Sequence, residues 1–222
     1  MKLQSNLEGL VEQRSIEVIE LYKKLLLAHD AVIYTLARAA EYRDNETGTH
    51  IKRIGEFSKI IAHKMGFTEH DAVIIGKASL MHDVGKIGIE DRILLKPGQL
   101  IPEEFEIMKT HTTIGEGLLH GVGSELTNVA AEIAISHHEK MDGTGYPYGL
   151  KGDNIPLGGR IVSVVDVFDA LTSNRPYKEA WSNEKATDLI RKQKGKQFDP
   201  KVVDAFFSSL NDILAIKEKM PD

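Results

Sequence analysis

No cysteine occurs anywhere in the chain, which excludes disulfide bonds and metal sites built from thiolates. There is also no run of about 18 apolar residues, so the sequence predicts no membrane insertion. Residues 1–6 lead into a charged helical pattern and lack the arrangement of a secretory signal peptide. Together these absences lead us to expect a cytoplasmic protein, because disulfides are rare in a reducing compartment.

An excess of positive charge is also missing, since the formal net charge is −5 at pH 7. A chain with this balance is not expected to bind nucleic-acid polymers, which attract basic surfaces. Its 41% hydrophobic and 27% charged residues are ordinary for a globular domain. If the substrate carries phosphate, the positive charge that binds it must come from metal ions and a few placed Lys or Arg side chains.

Between about residues 5 and 45 proline is absent and glycine occurs only at Gly9. Apolar residues recur there at heptad spacing, a pattern typical of a long helix or a coiled coil. One series is Val11, Val18, Leu25 and Val32, and the second, Leu7, Leu21 and Ala28, is interrupted by Arg14. Two interpretations stay open: an amphipathic helix packed on its own domain, or a stalk that forms a homodimer and transmits an upstream signal. We place this stalk at residues 1–30 and a catalytic domain at residues 31–222.

The rest of the chain predicts helices, because apolar positions repeat every three to four residues and no segment alternates with period two. Thr68 and Asp199 are typical N-cap residues, and Pro102 suits the first turn of a helix. Residues 161–171 are almost wholly apolar and predict a central buried helix. The predicted fold class is therefore all-α, a single helical domain with an N-terminal helical extension.

Nine histidines need an explanation, and several of them stand beside acids or beside each other. Glu46 and His50 are four residues apart, so a helix would direct both side chains to one point. Asp166 is an acid within the most apolar predicted helix, where an unpaired charge is costly. The candidate metal ligands are Glu46, His50, His82, Asp83, His111, His137, His138 and Asp166.

Nitrogen and oxygen donors of this kind suit iron or manganese, with nickel, cobalt or zinc as alternatives, better than magnesium or calcium. Eight donors exceed the needs of one ion, so two or three divalent ions are expected, and the Asp83 carboxylate could bridge two of them. Each residue alone has a structural alternative: a lone histidine such as His111 is more often packed than metal-bound. Glu46 could likewise be an exposed acid at a helix start.

Lys86 follows His82 by four residues and Asp83 by three, so on a helix it would share their face. Gly85 lowers the helix propensity and indicates that the helix ends near this point. A lysine beside a metal face could stabilise a phosphate or donate a proton to a leaving oxygen.

The candidate residues fall into motifs that closely resemble the HD-GYP branch of the HD phosphohydrolases. Residues 46–50 read Glu-Thr-Gly-Thr-His, residues 82–86 His-Asp-Val-Gly-Lys, residues 109–111 Lys-Thr-His and residues 137–139 His-His-Glu. Residues 142–147 read Asp-Gly-Thr-Gly-Tyr-Pro, and further motif positions lie in residues 166–177 and 198–200. The resemblance covers roughly residues 30–212, and its departures at Ile101, Thr112 and Met141 remove no candidate ligand.

The resemblance implies a metal-dependent phosphodiesterase that hydrolyses cyclic di-GMP to pGpG, to GMP or to both by attack of a metal-activated hydroxide. It implies that Asp83 bridges two ions and, with Lys86, acts in catalysis. One side of the centre would be completed by His50, His82 and Asp166, and the other by His111, His137 and His138. Glu46 is expected at a third metal position.

Substrate contacts are implied for Lys86, Gly145, Tyr146, Pro147, Arg175 and Lys178. Arg175 could grip a phosphate through two nitrogens, whereas Lys178 would act as a point charge. Tyr146 could stack on a base or meet the phosphate, and a structural role for it stays open. The implied partners are a cyclic di-GMP substrate, an upstream sensor or receiver domain, and diguanylate cyclases.

Three alternatives remain open from the sequence. The first is an HD phosphohydrolase that acts on mononucleotides or an alarmone, which would lack the loop at residues 145–147. The second is a cyclic di-GMP receptor or adaptor without turnover, which a lost ligand would favour; no ligand is lost here. The third is a preference for cyclic GMP-AMP, which these motifs do not exclude.

Overall fold

The computed structural model describes residues 2–44, 48–174 and 179–221, without the side chains of residues 2–5, 7, 8 and 44. The described residues form α-helices joined by turns, loops and short 3₁₀ segments, and no strand occurs among them. This confirms the all-α prediction. Three predicted site residues, Glu46, Arg175 and Lys178, lie outside the described residues.

The described helices are α1 (Lys2–Glu41), α2 (Gly48–Lys64), α3 (Glu69–Ser79), α4 (Asp91–Leu94), α5 (Pro102–Lys109), α6 (His111–Leu119), α7 (Glu125–Ser136), α8 (Leu157–Thr172), α9 (Asn183–Lys192), α10 (Pro200–Ser208) and α11 (Leu210–Lys219). The chain forms two compact units, Met1–Thr35 and Leu36–Asp222. In the first unit the heptad positions Val11, Val18 and Leu25 are exposed. None of the described helices is long and apolar enough to cross a membrane.

Helix starts follow from the capping residues that the sequence presents. The Thr68 side chain accepts a hydrogen bond from the Asp71 backbone N–H at the start of α3. Asp199 accepts one from the Lys201 N–H, and Pro200 occupies the first position of α10. These side chains satisfy N–H groups that have no partner within the helix, which fixes where each helix begins.

The core of the second unit lies where α2, α3, α7 and α8 pack against one another. Ile51, Ile54 and Phe57 of α2 are fully buried, as the apolar stripe of that helix predicts. The Phe57 ring packs edge-on against Phe168 of α8 at 6.3 Å between centroids. The predicted central buried helix is therefore α8, which is packed between α2 and α7.

One predicted helix boundary was wrong, and it lies at two candidate ligands. α3 ends at Ser79, so His82 and Asp83 stand in turns before a 3₁₀ segment at Val84–Gly88 rather than on the helix. His111 is the first residue of α6, two residues after α5 ends at Lys109. The reason is tertiary: a Cβ atom on Gly85 would stand 1.9 Å from the His111 carbonyl oxygen, so the turn backbone packs directly on α6.

Candidate metal centre

Asp83 lies at the middle of the candidate site, with its two carboxylate oxygens facing different groups. Oδ1 is 3.2 Å from His111 Nε2 and 3.4 Å from His137 Nε2. Oδ2 is 3.3 Å from His82 Nε2 and 2.9 Å from Lys86 Nζ. This is the arrangement that a carboxylate needs to bridge two cations.

The orientation of these imidazoles is set by the backbone. His82 Nδ1 lies 3.0 Å from the Ser79 carbonyl, His111 Nδ1 2.7 Å from the Met108 carbonyl, and His137 Nδ1 3.0 Å from the Ala134 carbonyl. A carbonyl oxygen only accepts hydrogen bonds, so each Nδ1 must carry the proton. The Nε2 lone pair of a neutral ring is then free to bind a metal ion, which is the role of such second contacts in metalloproteins.

The buried polar atoms at this point test whether the residues fit a metal. His82 Nε2, His111 Nε2, His137 Nε2 and Asp83 Oδ1 are buried and make no hydrogen bond of normal geometry. The Nε2 atoms of His111 and His137 nevertheless lie within ion-pair distance of Asp83 Oδ1. With the proton on Nδ1, these Nε2 atoms have no N–H group to donate to the carboxylate. Buried polar groups are almost always satisfied, so this convergence of lone pairs fits a cation bound between them.

His138 completes the first group of donors. One donor atom each from Asp83, His111, His137 and His138 lies within 4.8 Å of the others. The His137 and His138 rings are 4.0 Å apart, and His138 is less buried than its neighbour. Three imidazoles and one carboxylate make a donor set that suits a first-row transition metal.

A second group of donors lies on the other side of Asp83. Donor atoms of Glu41, His50 and His82 lie within 4.8 Å of one another, and all three residues are buried. Asp166 Oδ1 approaches the same place, 3.7 Å from His50 Nε2 and 4.0 Å from His82 Nε2. Each of the two groups therefore holds enough nitrogen and oxygen donors for an ion.

The His50 ring is held by an ionic network behind it. Its Nδ1 is 2.7 Å from Asp169 Oδ2, and the Arg53 guanidinium grips Asp169 through Nε at 2.6 Å and Nη2 at 2.9 Å. Burial tends to raise the pKa of Asp169, but hydrogen bonds from His50 and Arg53 hold it below the ordinary value. A charged Asp169 keeps the Nδ1 proton of His50 in place and directs Nε2 toward Asp166.

The electrostatic surroundings keep Asp83 charged and His138 neutral, which are the states in which these side chains bind a metal ion. Burial tends to raise the pKa of Asp83, but the charges of Lys86 and His82 hold it well below the ordinary value. Burial, with the neighbouring imidazoles, holds the pKa of His138 well below its ordinary value, so the ring is neutral.

His82 shows the opposite effect, because it faces several acids. Burial lowers its pKa, but Asp83, Asp166 and Glu41 outweigh this effect and raise the pKa to about 10. The acids thus favour a positive charge at His82 Nε2, where either a proton or a metal ion can supply it.

Lys86 reaches this centre although it does not lie on a regular helix with His82. Its side chain is 12% exposed, and its Nζ contacts Asp83 Oδ2 from within the 3₁₀ segment. Arg43 holds the segment that follows: Nη1 donates to the Ile87 carbonyl at 2.6 Å, and Nη2 donates to the Ile89 carbonyl at 3.0 Å. The position of Lys86 is therefore fixed by an arginine 43 residues earlier in the chain.

The loop at residues 142–156 borders the first group of donors. Gly145 packs so closely on the preceding turn that a Cβ atom would stand 2.4 Å from Glu139 Cα. Glu139, which is buried, accepts hydrogen bonds from the Tyr148 and Leu150 N–H groups at 2.8 and 2.9 Å. The Tyr146 ring stacks on His138 at 4.7 Å with an interplanar angle of 29°, and a cis peptide bond joins it to Pro147.

Most predicted site residues thus meet in one place. The structure brings together His50, His82, Asp83, Lys86, His111, His137, His138 and Asp166, with Tyr146 at the edge. Sequence reasoning assigned no role to Glu41, Arg43, Arg53 or Asp169. Asp169 carried a signal, since it is a second acid in the apolar segment that became α8, whereas Glu41 carried none.

Comparison with known proteins places this arrangement in a family. The model of the family described as HD domain matches residues 17–202. A cyclic di-GMP phosphodiesterase from Thermotoga maritima is 46% identical over 96% of this chain and 57% of its own length. The cyclic di-GMP phosphodiesterase response regulator RpfG from Xanthomonas campestris is 49% identical over 77% of this chain and 45% of its own length.

Relatives with another named substrate are also similar. The 3'3'-cGAMP-specific phosphodiesterase 2 of Vibrio cholerae is 42% identical over 94% of this chain and 40% of its own length. The crystal structure of a cyclic GMP-AMP phosphodiesterase from V. cholerae shares the fold, with a TM-score of 0.66 and 20% identity over 87% of this chain and 54% of that chain. The chain spans about half the length of these relatives. It belongs to the HD domain family, and its motifs place it in the HD-GYP branch.

Proposed function

We propose that this chain is a metal-dependent phosphodiesterase that hydrolyses cyclic di-GMP. One observation carries the proposal: buried Nε2 atoms of three histidines converge on the two oxygens of Asp83 and make no other hydrogen bond of normal geometry. The similarity to relatives that are named cyclic di-GMP phosphodiesterases supports the choice of substrate.

The two groups of donors support two divalent ions, one on each side of Asp83, and the donor chemistry favours iron or manganese. Such ions, when bound, supply positive charge for the phosphate and activate a water molecule at neutral pH. A third ion is part of the proposal, with Glu46 or Glu41 as the additional carboxylate.

Lys86 acts on the scissile phosphate in this proposal. Its ammonium lies 2.9 Å from Asp83 Oδ2 and is largely shielded from solvent. In this position it can bind an oxygen of the scissile phosphate and donate a proton to the leaving 3′-oxygen, which neutralises the charge that develops there. Arg43 keeps the Lys86 segment in place through its hydrogen bonds to the backbone carbonyls.

The other chain groups position the donors and the substrate. Asp169 and Arg53 fix the His50 ring, so that its Nε2 stays directed at the centre. The Tyr146 ring stacks on His138 and holds that imidazole from the side of the loop. Arg175 and Lys178 are proposed, from the resemblance alone, to hold the second phosphate of the cyclic dinucleotide.

Cyclic GMP-AMP is the alternative substrate, and the names of two relatives support it. The 3'3'-cGAMP-specific phosphodiesterases 2 and 3 of V. cholerae are 42% and 32% identical to this chain. Both cyclic dinucleotides carry the same phosphodiester, so the metal centre itself does not discriminate between them. Measuring kcat/KM for cyclic di-GMP and cyclic GMP-AMP with one preparation therefore ranks the substrates. Binding without turnover would support the receptor alternative.

We expect Asp83→Ala to abolish turnover, because it removes the carboxylate that faces both groups of donors. Protein loaded anaerobically with iron or manganese should convert cyclic di-GMP to pGpG or GMP, and the variant should not, as read by chromatography. Asp188→Ala changes an exposed aspartate on α9 and serves as the control with unchanged activity. The absence of product from the unchanged chain with either metal would refute the proposed function.

A further inference from the structure

Beside the metal centre, α5 presents an aromatic side chain that the core does not use. No residue of α5 is buried, and the Phe105 side chain is 42% exposed. The helix is anchored elsewhere: Met108 packs against the small cluster of Ile89, Ile93 and Leu94, and Glu104 pairs with Lys96. Phe105 is therefore an exposed ring on a fixed helix rather than part of the hydrophobic core.

Phe105 faces the site through Tyr146. The two ring centroids are 6.0 Å apart, with the planes at 81°, and Tyr146 in turn stacks on His138. A continuous line of rings thus leads from the first group of donors to the surface of α5. A phosphodiester held at the centre would carry its ribose and base outward along such a line.

Lys109 adds a positive charge to the same place. It stands one helical turn after Phe105, and its Nζ is 5.1 Å from the Phe105 centroid and 5.6 Å from the Tyr146 centroid. Its other contact is an ion pair with Glu106 at 2.6 Å, and the Glu106 side chain is 68% exposed. An exposed i,i+3 ion pair of this kind is weak, so the Lys109 ammonium can leave Glu106 and bind a ligand with little loss of free energy.

We propose that Phe105, Tyr146 and Lys109 form a subsite for the guanine base of the substrate. Aromatic rings bind the flat face of a base, and a lysine ammonium matches the O6 and N7 acceptors that guanine presents on one edge. Adenine carries an amino group in place of O6, so Lys109 favours guanine over adenine at this position. This subsite rests on the proposed function, which supplies the cyclic dinucleotide.

The stacking role is tested with two replacements of one residue. Phe105→Leu keeps the apolar volume and removes the aromatic face, whereas Phe105→Trp keeps the face. Base stacking on a protein ring corresponds to a change of roughly 5- to 150-fold in affinity. We expect Phe105→Leu to raise KM for cyclic di-GMP within that range with kcat and metal content unchanged, and Phe105→Trp to retain the KM of the unchanged chain.

Ile107→Ala is the matched control, because Ile107 is also an exposed apolar residue of α5 but lies two positions away, about 200° around the helix. An unchanged KM in Phe105→Leu, or an equal rise in Ile107→Ala, would overturn the stacking role. Turnover by the unchanged chain tests the proposed function separately. If turnover occurs and the KM values do not differ, only the subsite fails.

The role of Lys109 is tested by the binding of mononucleotides to the metal-loaded protein, measured by calorimetry. Lys109→Met should weaken GMP binding clearly more than AMP binding, since guanine offers both O6 and N7 to the ammonium whereas adenine offers only N7. Equal weakening of GMP and AMP would place the lysine on the phosphate and overturn its assignment to the base. No weakening of either nucleotide would overturn it as well.

Discussion

Glu41 shows how one buried carboxylate changes the composition of the centre. Its side chain is 3% exposed, and a carboxylate oxygen lies within 4.8 Å of the donor atoms of His50 and His82. Burial lowers the pKa of His82, and the Glu41 charge helps to raise it, together with the larger effects of Asp83 and Asp166. Glu41 is therefore a second candidate, beside the sequence-predicted Glu46, for the additional acidic ligand.

We predict that Glu41→Gln lowers the metal-to-protein ratio, because the amide keeps the volume but removes the charge that attracts a cation. Metal analysis by mass spectrometry gives the ratio, and circular dichroism verifies that the helical content is unchanged. Glu56→Gln alters an exposed glutamate of α2 and should have no effect. A ratio equal to that of the unchanged chain would leave Glu41 with a role in packing alone.

The same measurement tests the sequence prediction for Glu46. If Glu46 binds a metal ion, Glu46→Ala should lower the ratio with the fold intact. An unchanged ratio would return Glu46 to the alternative of an exposed acid at a helix start. Comparing the two variants identifies which glutamate supplies the additional ligand.

At the scale of elements, the centre depends on how closely the turn after α3 approaches α6. Gly85 lies in the 3₁₀ segment, and a Cβ atom there would stand 1.9 Å from the His111 carbonyl oxygen and 2.4 Å from the Gly115 nitrogen. Both atoms belong to the backbone, which cannot rotate away as a side chain would. The missing side chain of Gly85 thus determines the distance between Asp83 and His111.

We predict that Gly85→Ala destabilises the fold by about 1–3 kcal/mol, the usual cost of overpacking a closely packed site. It should also lower the metal content, because α6 must move and carries His111 with it. Gly117→Ala is the control on α6: no atom lies within 4 Å of its Cβ position, so it should stabilise the helix by about 0.5–1 kcal/mol. The melting temperatures of both variants, measured by thermal unfolding, test this prediction. If Gly85→Ala and Gly117→Ala melt at the same temperature, the close approach of the two backbones is contradicted.

For the whole molecule, the heptad series of α1 predicts association of two chains. Val11, Val18, Leu25 and Val32 are between 57% and 65% exposed, so this stripe remains available. Burying it gains about 25 cal/mol per Å² of apolar area, less the cost of association. Arg14 interrupts the second series and weakens the pairing. The homodimer, like the upstream domain and the cyclase partners, stays a prediction.

We expect light scattering to show a dimer of the full chain that dissociates on dilution, and a monomer for a truncation that starts at Ala31. Leu25→Lys, in the stripe, should prevent the dimer, whereas Gln13→Lys, outside both series, should not. If the full chain is monomeric at high concentration, the stalk interpretation is wrong.

The sequence by itself determined the helical fold and the chemistry of the centre. Periodic apolar positions and capping residues act within a few residues of one another, so α2, α8 and α10 could be predicted from local pattern alone. The donor types were equally visible, because histidines and acids stand in pairs such as His82–Asp83 and His137–His138, and it was their combination along the chain that indicated a metal site. The motif resemblance then linked these separate segments to one site.

Only the tertiary structure decided how the donors are oriented and which residues support them. The contact between His50 and Asp169 joins positions 119 residues apart, and no local pattern predicts it. Glu41 enters the site because the end of α1 meets α2 and the turn after α3. In the sequence Gly85 indicates the end of a helix, whereas in the structure it allows the turn after α3 to approach the backbone of α6 closely. Such features depend on packing between distant segments, and packing distances are set by the folded backbone as a whole.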